Sequence, residues 1–425
     1  MTPLGELPVQ PGLDRRWWAL GFVALAQLMI ALDATVVSVA LPTVQRALGG
    51  SDLERAWVFS GYTLAFGSLL LLGGRISDAI GRRRAFQIGS IGFAFSSALG
   101  GAATSLAWLI LARILQGVFA ALLAPAALAL VSLMFGERHE RARAFAVFGA
   151  IAGSGGAVGL VLGGWLTESA SWRWCLYVDV VLALLASLGA RATLLPEPQT
   201  ARQRIGSGPL VPLHILLDRN RAGAALAAAL AIVAMFGLFL LLTYYFQAVR
   251  HFSPLQAGFA FLPMSAASLF GATFVASRTL PHVAPRVVLV AGLSIAAAGL
   301  AGLTRMAAGI DYAWGIVPCE IAAGFGISCA MITAISVATH GVPARQAGIA
   351  SAIIATAQQL GGALGAALLN GVAARATAAY RGDHASALVH GYTVALGWGC
   401  AILVAAALAA AVLVNAPKPA AQAPA

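Results

Sequence analysis

The sequence predicts an all-α membrane protein with about twelve transmembrane helices. Of its 425 residues, 60% are hydrophobic and only 10% are charged, whereas soluble domains carry about 25% charged residues. The apolar residues are gathered in runs long enough to cross a bilayer, which takes about 20 residues of helix. Runs of this length must be helical, because lipid offers no hydrogen-bond partner to an open backbone.

The apolar runs form two groups of six on either side of a polar stretch. The runs lie near 18–41, 57–74, 85–104, 108–135, 144–167 and 174–195, and then near 223–247, 255–277, 287–306, 312–338, 345–371 and 392–415. We therefore predict an N-terminal bundle over 17–195, a cytoplasmic linker over 196–222 and a C-terminal bundle over 223–415. Cytoplasmic segments 1–16 and 416–425 flank them. Because the first run is full length, we expect no cleavable signal.

The basic residues predict the orientation. The net charge of +11 could indicate nucleic-acid binding, but these residues lie in short loops between the runs. If both termini are cytoplasmic, most of the 26 Lys and Arg residues fall on the cytoplasmic side, as the positive-inside rule requires. The preference for Arg, Ala and Gly indicates a bacterial genome. We expect a multi-pass protein of the bacterial inner membrane that does not bind nucleic acid.

A faint repeat relates the two halves. Arg143, Gly159 and Gly163 recur in the second half as Arg345, Gly361 and Gly365, and Arg113 with Gly117 recurs as Glu320 with Gly324. Duplicated halves are common in transporters, where the substrate site lies between them.

Four charged residues fall inside predicted spans, where charges are expensive and usually functional. They are Asp33 in span 1, Arg113 in span 4, Asp179 in span 6 and Glu320 in span 10. A carboxylate in a low-dielectric cavity can bind and release a proton near neutral pH, so we predict proton or substrate coupling. The alternative is structural ion pairing. For Asp179 and Glu320 both interpretations stay open, since each lies within two turns of a span end and could reach water.

Two glycine motifs suggest roles in packing and movement. Gly74, Asp78, Gly81 and Arg82 lie in the loop between spans 2 and 3, with a spacing too particular for an ordinary basic loop. In span 5, glycines four apart predict a flat face for close helix packing, and glycine also allows a helix to bend. The residues concerned are Gly155, Gly156, Gly159 and Gly163.

Five motifs resemble the major facilitator superfamily, in particular the drug:proton antiporters of EmrB/QacA type. They are the loop Gly74–Arg84, the span 4 stretch Leu109–Gly117, the span 1 stretch Leu32–Pro42, the Trp172–Trp174 stretch, and Tyr244–Gln247 followed by Ser253–Gly258. The resemblance implies the major facilitator fold, two six-helix bundles related by a pseudo-two-fold axis. It also implies that Asp33 couples substrate or protons, that Arg113 serves proton transfer, and that Gly74, Asp78, Gly81 and Arg82 latch the halves on the inner side.

The chain departs from that branch in three places. The relatives usually have fourteen spans, but the stretch 196–222 has no room for an extra hairpin. Two prolines usual in span 5 are replaced by Gly156 and Leu160. Asp179 stands where the branch commonly has Asn.

The sequence therefore predicts a transporter that exports drug-like or secondary-metabolite molecules in exchange for protons. The alternatives are an importer or facilitator on the same fold, and a non-transporting receptor or scaffold. The only lysine is Lys418, so a Gly-Lys-Ser/Thr phosphate loop is absent, which argues against an ATP-driven pump. The histidines show no metal-ligand spacing, so we expect no enzyme activity, cofactor or metal. Expected partners are a small-molecule substrate, protons and the lipid bilayer. We expect a monomer, and leave open whether accessory export proteins assist it.

Overall fold

Twelve helices account for nearly all of the described residues of the computed structural model, which are 13–135, 138–194, 217–280, 282–307, 309–340, 342 and 344–416. The first six are α1 (Leu13–Leu48), α2 (Asp52–Ile80), α3 (Arg82–Gly101), α4 (Leu106–Met134), α5 (Arg138–Ser169) and α6 (Trp174–Thr193). The next six begin with α7 (Arg219–Tyr244, continued by the π-helical turn Tyr245–Val249) and α8 (the consecutive segments Pro254–Ala260, Leu262–Phe270, Gly271–Ala276 and Ser277–Thr279). They end with α9 (Pro285–Leu303), α10 (the π-helical turn Tyr312–Ile316, then Val317–Thr339), α11 (Ala344–Ala379) and α12 (His384–Leu413).

Some helices begin before the apolar runs, at a residue whose side chain caps the helix. The run predicted from 392 belongs to a helix that begins at His384, where Asp383 accepts a hydrogen bond from the Ser386 N–H at 3.0 Å. Helix α7 begins at Arg219, inside the predicted linker. The rest of that linker, 196–216, and the segments 1–12 and 417–425 lie outside the described residues.

Eleven of these helices are long and apolar enough to cross a membrane, and α3 falls short on composition. Its small residues allow close packing against neighbouring helices. A Cβ at Gly89 would lie 2.9 Å from the Cβ of Leu123, and one at Gly101 would lie 2.4 Å from the Tyr177 ring. The face of α3 that packs on α4 and α6 is therefore built from small residues, while Ile88, Ile91 and Phe95 are exposed on its outer face.

The sequence repeat corresponds to equivalent packing in the two halves. A Cβ at Gly163 would lie 2.9 Å from the Val36 carbonyl oxygen, so α5 packs closely on α1. In the second half, a Cβ at Gly365 would lie 2.3 Å from the Val233 carbonyl oxygen, so α11 packs on α7 in the same way. Gly117 and Gly324 likewise bring α4 onto α2 and α10 onto α8. These matched contacts are those of two six-helix bundles related by a pseudo-two-fold axis.

The two halves meet at the end of the molecule that carries the α1–α2, α5–α6 and α11–α12 connections, which we call the far end. There the Gln247 amide donates to the Val39 carbonyl at 2.9 Å, and the Tyr244 hydroxyl donates to Gln45 Oε1 at 3.3 Å. Arg55, which is buried, donates to Asn370 across the same junction. One hydrophobic core spans both halves here, while a second core draws its buried members from α1 to α6 alone. The protein is therefore closed at the far end.

Candidate functional site: a buried charge cluster

An ion pair between α1 and α4 lies at the centre of the N-terminal bundle. Arg113 Nη1 is 2.5 Å from Asp33 Oδ1, and both side chains are fully buried. Arg113 Nε also donates to the Val58 carbonyl on α2 at 3.3 Å. Burying two charges is costly unless they are paired and hydrogen-bonded, and this geometry provides a pair held by three helices.

Sequence reasoning missed the polar residues that support the pair. Gln116 accepts from Arg113 Nη1 at 2.8 Å, and its amide donates to Ser97 Oγ on α3 at 2.7 Å and to Asp33 Oδ1 at 3.4 Å. The guanidinium carbon of Arg113 lies 4.4 Å from the centre of the Tyr62 ring, a cation–π contact. Gln116 could have been found from its spacing, because a residue three positions after Arg113 shares its helix face.

Asp179 on α6 joins this cluster. It is fully buried, so the structure does not support the expectation that it reaches water. Its carboxyl group is close enough to the Asp33 carboxyl group to share a hydrogen bond with it, and it interacts electrostatically with Arg113. Neither of its oxygens receives a hydrogen bond from a described residue.

Glu320 lies apart from the other three, in the second bundle. It occupies the position on α10 that the repeat assigns to Arg113 on α4, and it too is fully buried away from water. Its nearest titratable neighbours are Tyr312 and Cys319, and its own oxygens receive no hydrogen bond from the described part of the chain. The structure therefore brings together Asp33, Arg113 and Asp179, and leaves Glu320 as a separate buried acid.

The motif predicted as a loop is almost entirely helical: Gly74 and Asp78 lie in the last turns of α2, Arg82 begins α3, and Gly81 alone breaks the helix. Gly81 has a φ of +97°, a conformation that favours glycine, and its N–H donates to the Ser77 carbonyl at 3.0 Å. Asp78 Oδ1 pairs with Arg82 Nη2 at 3.1 Å, both side chains being partly exposed. Gly74 faces Pro125 of α4 at ordinary contact distance. The motif thus lies at the end opposite the closed junction.

Three of the four singled-out glycines on α5 pack on α1. A Cβ added at Gly155 would lie 2.7 Å from the Cβ of Ala31. One added at Gly159 would lie 2.1 Å from Thr35 Oγ1, and one added at Gly163 would lie 2.8 Å from the Cα of Val36. Gly156 differs, since a Cβ there would meet nothing within 4 Å. The packing interpretation therefore fits Gly155, Gly159 and Gly163, but not Gly156.

This contrast gives a matched pair of substitutions. We expect Gly163→Ala to lower the free energy of unfolding by about 1–3 kcal/mol, because the new methyl group meets the α1 backbone. Gly156→Ala should leave stability unchanged or raise it by up to about 1 kcal/mol, since alanine favours helix and has space. Thermal unfolding of both variants in detergent measures the difference, and equal melting temperatures would contradict the packing assignment.

A small apolar pocket lies between the halves, beside the charge cluster. Residues of α1, α2, α7 and α11 line it: Ala34, Thr35, Ser38, Phe59, Phe236, Phe239, Leu240 and Ala366. The phenylalanines come from both bundles, and Thr35 follows Asp33 by two residues on α1. The pocket thus offers aromatic surface next to the stretch of α1 that follows Asp33.

Comparison with known proteins agrees with this architecture. A family model, the Major Facilitator Superfamily, matches residues 23–366. The puromycin resistance protein of Streptomyces alboniger is 44% identical, over 97% of this chain and 94% of that protein. The alignment has 474 positions, more than this chain has residues, so that relative carries segments that this chain lacks.

Two further matches are more distant. The cephamycin export protein of Amycolatopsis lactamdurans is 32% identical over 83% of this chain and 84% of that protein. The fold is shared with a solved structure, a bacterial homologue of the human lysosomal transporter Spinster in an inward-facing and unoccupied conformation. The TM-score is 0.78 and the sequence identity is 18%, over 95% of this chain and 98% of that one. The chain is a multi-pass membrane transport protein, not an enzyme, and it belongs to the major facilitator superfamily.

Proposed function

We propose that this protein exports drug-like or secondary-metabolite molecules from the cytoplasm by alternating access, in exchange for protons. The observation that carries the proposal is the buried cluster of Asp33, Arg113 and Asp179 beside an apolar pocket between the halves. A paired acid in such a place can bind a proton in one state and release it in another. The names of the two relatives, a puromycin resistance protein and a cephamycin export protein, support export of such molecules.

The orientation follows from the positive-inside rule. With both termini in the cytoplasm of a bacterial cell, the closed far end faces outward, and the loop containing Gly74, Asp78, Gly81 and Arg82 faces inward. The structure then corresponds to a state closed toward the outside, in which the substrate enters from the cytoplasm. We expect the monomer to perform the full cycle.

The topology has its own test. We expect reporter fusions after residue 208, in the linker, and after residue 425 to report a cytoplasmic location. A fusion after residue 309, in the α9–α10 connection, should report the opposite side. If the linker fusion reports the outside, the span count and every site assignment here are wrong.

The main experiment is transport in inverted membrane vesicles with an imposed pH gradient, using puromycin and ethidium as probes. In inverted vesicles exporters move substrate inward, so we expect accumulation when the interior is acidic and its collapse when a protonophore removes the gradient. Accumulation driven by the opposite gradient would favour an importer. Gradient-independent equilibration would favour a facilitator, and no movement of either compound would contradict drug export.

The loop motif is proposed to latch the halves on the inner side in the alternate state. The Asp78 carboxylate, at the end of α2, is partly exposed and among the described contacts pairs with Arg82 at the start of α3. An exposed carboxylate at this end can reach a partner in the other half. We expect Asp78→Asn to slow transport several-fold and to leave puromycin affinity unchanged. The reason is that shifting a two-state equilibrium takes only a few kcal/mol and need not involve the substrate.

The matched control is Asp218→Asn, which lies at the same end of the molecule. Asp218 caps α7 by accepting from the Arg221 N–H at 3.0 Å, and asparagine caps helices equally well, so this variant should transport normally. If Asp78→Asn instead loses puromycin affinity and keeps its turnover rate, the latch assignment is wrong.

A further inference from the structure

The charge cluster contains two carboxyl groups and one cation. Asp33 Oδ1 accepts hydrogen bonds from the side-chain N–H groups of Arg113 and Gln116. Asp33 Oδ2 and both oxygens of Asp179 have no hydrogen-bond donor among the described residues, although the two carboxyl groups lie within hydrogen-bonding range of each other. Buried polar atoms are almost always hydrogen-bonded, so the contact between these acids lacks a donor.

A single proton removes this deficit. If one of the two acids is protonated, its O–H donates to the other, and the cluster carries one negative charge, one positive charge and no net charge. Without the proton, the cluster would hold a fully buried charge with no counter-charge, which is strongly unfavourable. Two carboxylates that share a dry site do not both ionise.

The surroundings decide which acid carries the proton. Asp33 accepts a charge-assisted hydrogen bond from Arg113 and a second bond from Gln116, so its Oδ1 already has two donors. Asp179 has no cationic donor in contact. The titratable and charged groups that act on it are Asp33 from α1, Arg113 from α4, Tyr62 from α2 and Cys175 from its own helix. Only Arg113 is cationic. Its Nη1 donates to Asp33 and Gln116, and its Nη2 has no acceptor among the described residues.

We propose that the exchanged proton is carried by Asp179, in a hydrogen bond donated to Asp33 Oδ2. This inference rests on the proposed proton-coupled function and assigns its proton to a residue. When the O–H bond of Asp179 breaks, the proton passes to water on the side of the membrane to which the protein is open. Asp179 then becomes a second carboxylate beside the single arginine, Arg113. A positively charged substrate in the adjacent pocket, which α1 lines with Thr35 and Ser38, restores neutrality. The site therefore favours cationic lipophilic substrates.

Infrared difference spectroscopy on the reconstituted protein tests the placement of the proton. We expect the wild type to show the carbonyl stretching band of a protonated carboxylic acid that disappears both at high pH and on puromycin binding. Asp179→Asn should lose this band completely. It should still fold with an unchanged melting temperature, because the amide has the shape of a protonated acid and donates to Asp33 in the same way.

Glu320→Gln is the matched control, since it removes the other buried acid without a donor; we expect it to keep the puromycin-sensitive band. The proposal is overturned if that band persists in Asp179→Asn, if it vanishes in Glu320→Gln instead, or if Asp179→Asn fails to fold. If the wild type neither binds nor transports puromycin, the proposed function fails. The loss of the pH-sensitive band in Asp179→Asn still decides where the proton lies.

Discussion

Asp33→Asn is expected to abolish proton-driven accumulation of substrate in inverted vesicles, while exchange of substrate in the absence of a gradient continues. The substitution keeps the shape of the side chain but removes the charge that pairs with Arg113. Asp179 is then the acid nearest to Arg113, and the positive charge of Arg113 keeps Asp179 ionised. The cluster therefore no longer binds and releases a proton. Uphill transport should fall to the level of vesicles without the protein, and counterflow of labelled puromycin should persist.

Asp383→Asn is the matched control for this experiment. Asp383 is exposed and caps α12, and the hydrogen bonds from Ser386 hold the pKa of its carboxyl below its usual range, so it stays ionised at neutral pH. Asparagine preserves the cap, so proton-driven transport should be normal. Uphill accumulation that survives in Asp33→Asn would show that coupling does not need Asp33, with Asp179 and Glu320 the remaining buried acids.

Arg113→Ala is expected to give the largest loss of stability. It leaves Asp33 and Asp179 buried with no cation, removes the hydrogen bonds to Gln116 and Val58, and takes the guanidinium off the Tyr62 ring. Removing one partner of a buried ion pair typically costs about 3–5 kcal/mol. Unfolding in detergent, followed by circular dichroism or tryptophan fluorescence, should show a clearly lowered transition.

The double variant Asp33→Asn with Arg113→Ala separates charge from packing. Since it removes both charges, it should be more stable than Arg113→Ala alone, and the double-mutant cycle should give a coupling of about 0.5–3 kcal/mol. Equal stability of the single and double variants would mean that Arg113 contributes through packing and not through its pairing with Asp33.

Much of the fold can be predicted from the sequence because a membrane allows few solutions. The apolar runs require helices, and the repeats around Gly159 and Gly361 correspond to equivalent close contacts in the two halves. Helix α3 is found as an apolar run despite its weak hydropathy. The helix ends are less predictable, since caps such as Asp383 extend helices past the hydrocarbon region.

The candidate site is only partly predictable. Asp33 and Arg113 are suggested by their positions within spans, but their contact depends on how α1 and α4 pack. From its position in the sequence, Asp179 is expected near a span end, where it could reach water. Hydropathy indicates how deep a residue lies along one helix, but not which neighbouring helices cover it. The same limit hides Ser97, whose hydroxyl is ordinary in sequence and becomes informative only through its hydrogen bond with Gln116.

Substrate-induced proton release from the purified protein in detergent tests the central claim most directly. In weakly buffered medium at constant pH, saturating puromycin should acidify the solution in proportion to the amount of wild-type protein. Asp33→Asn, in which no exchangeable proton is held, should release none while still binding puromycin. A wild type that binds puromycin without releasing a proton would contradict the assignment of the buried cluster as the site of proton exchange.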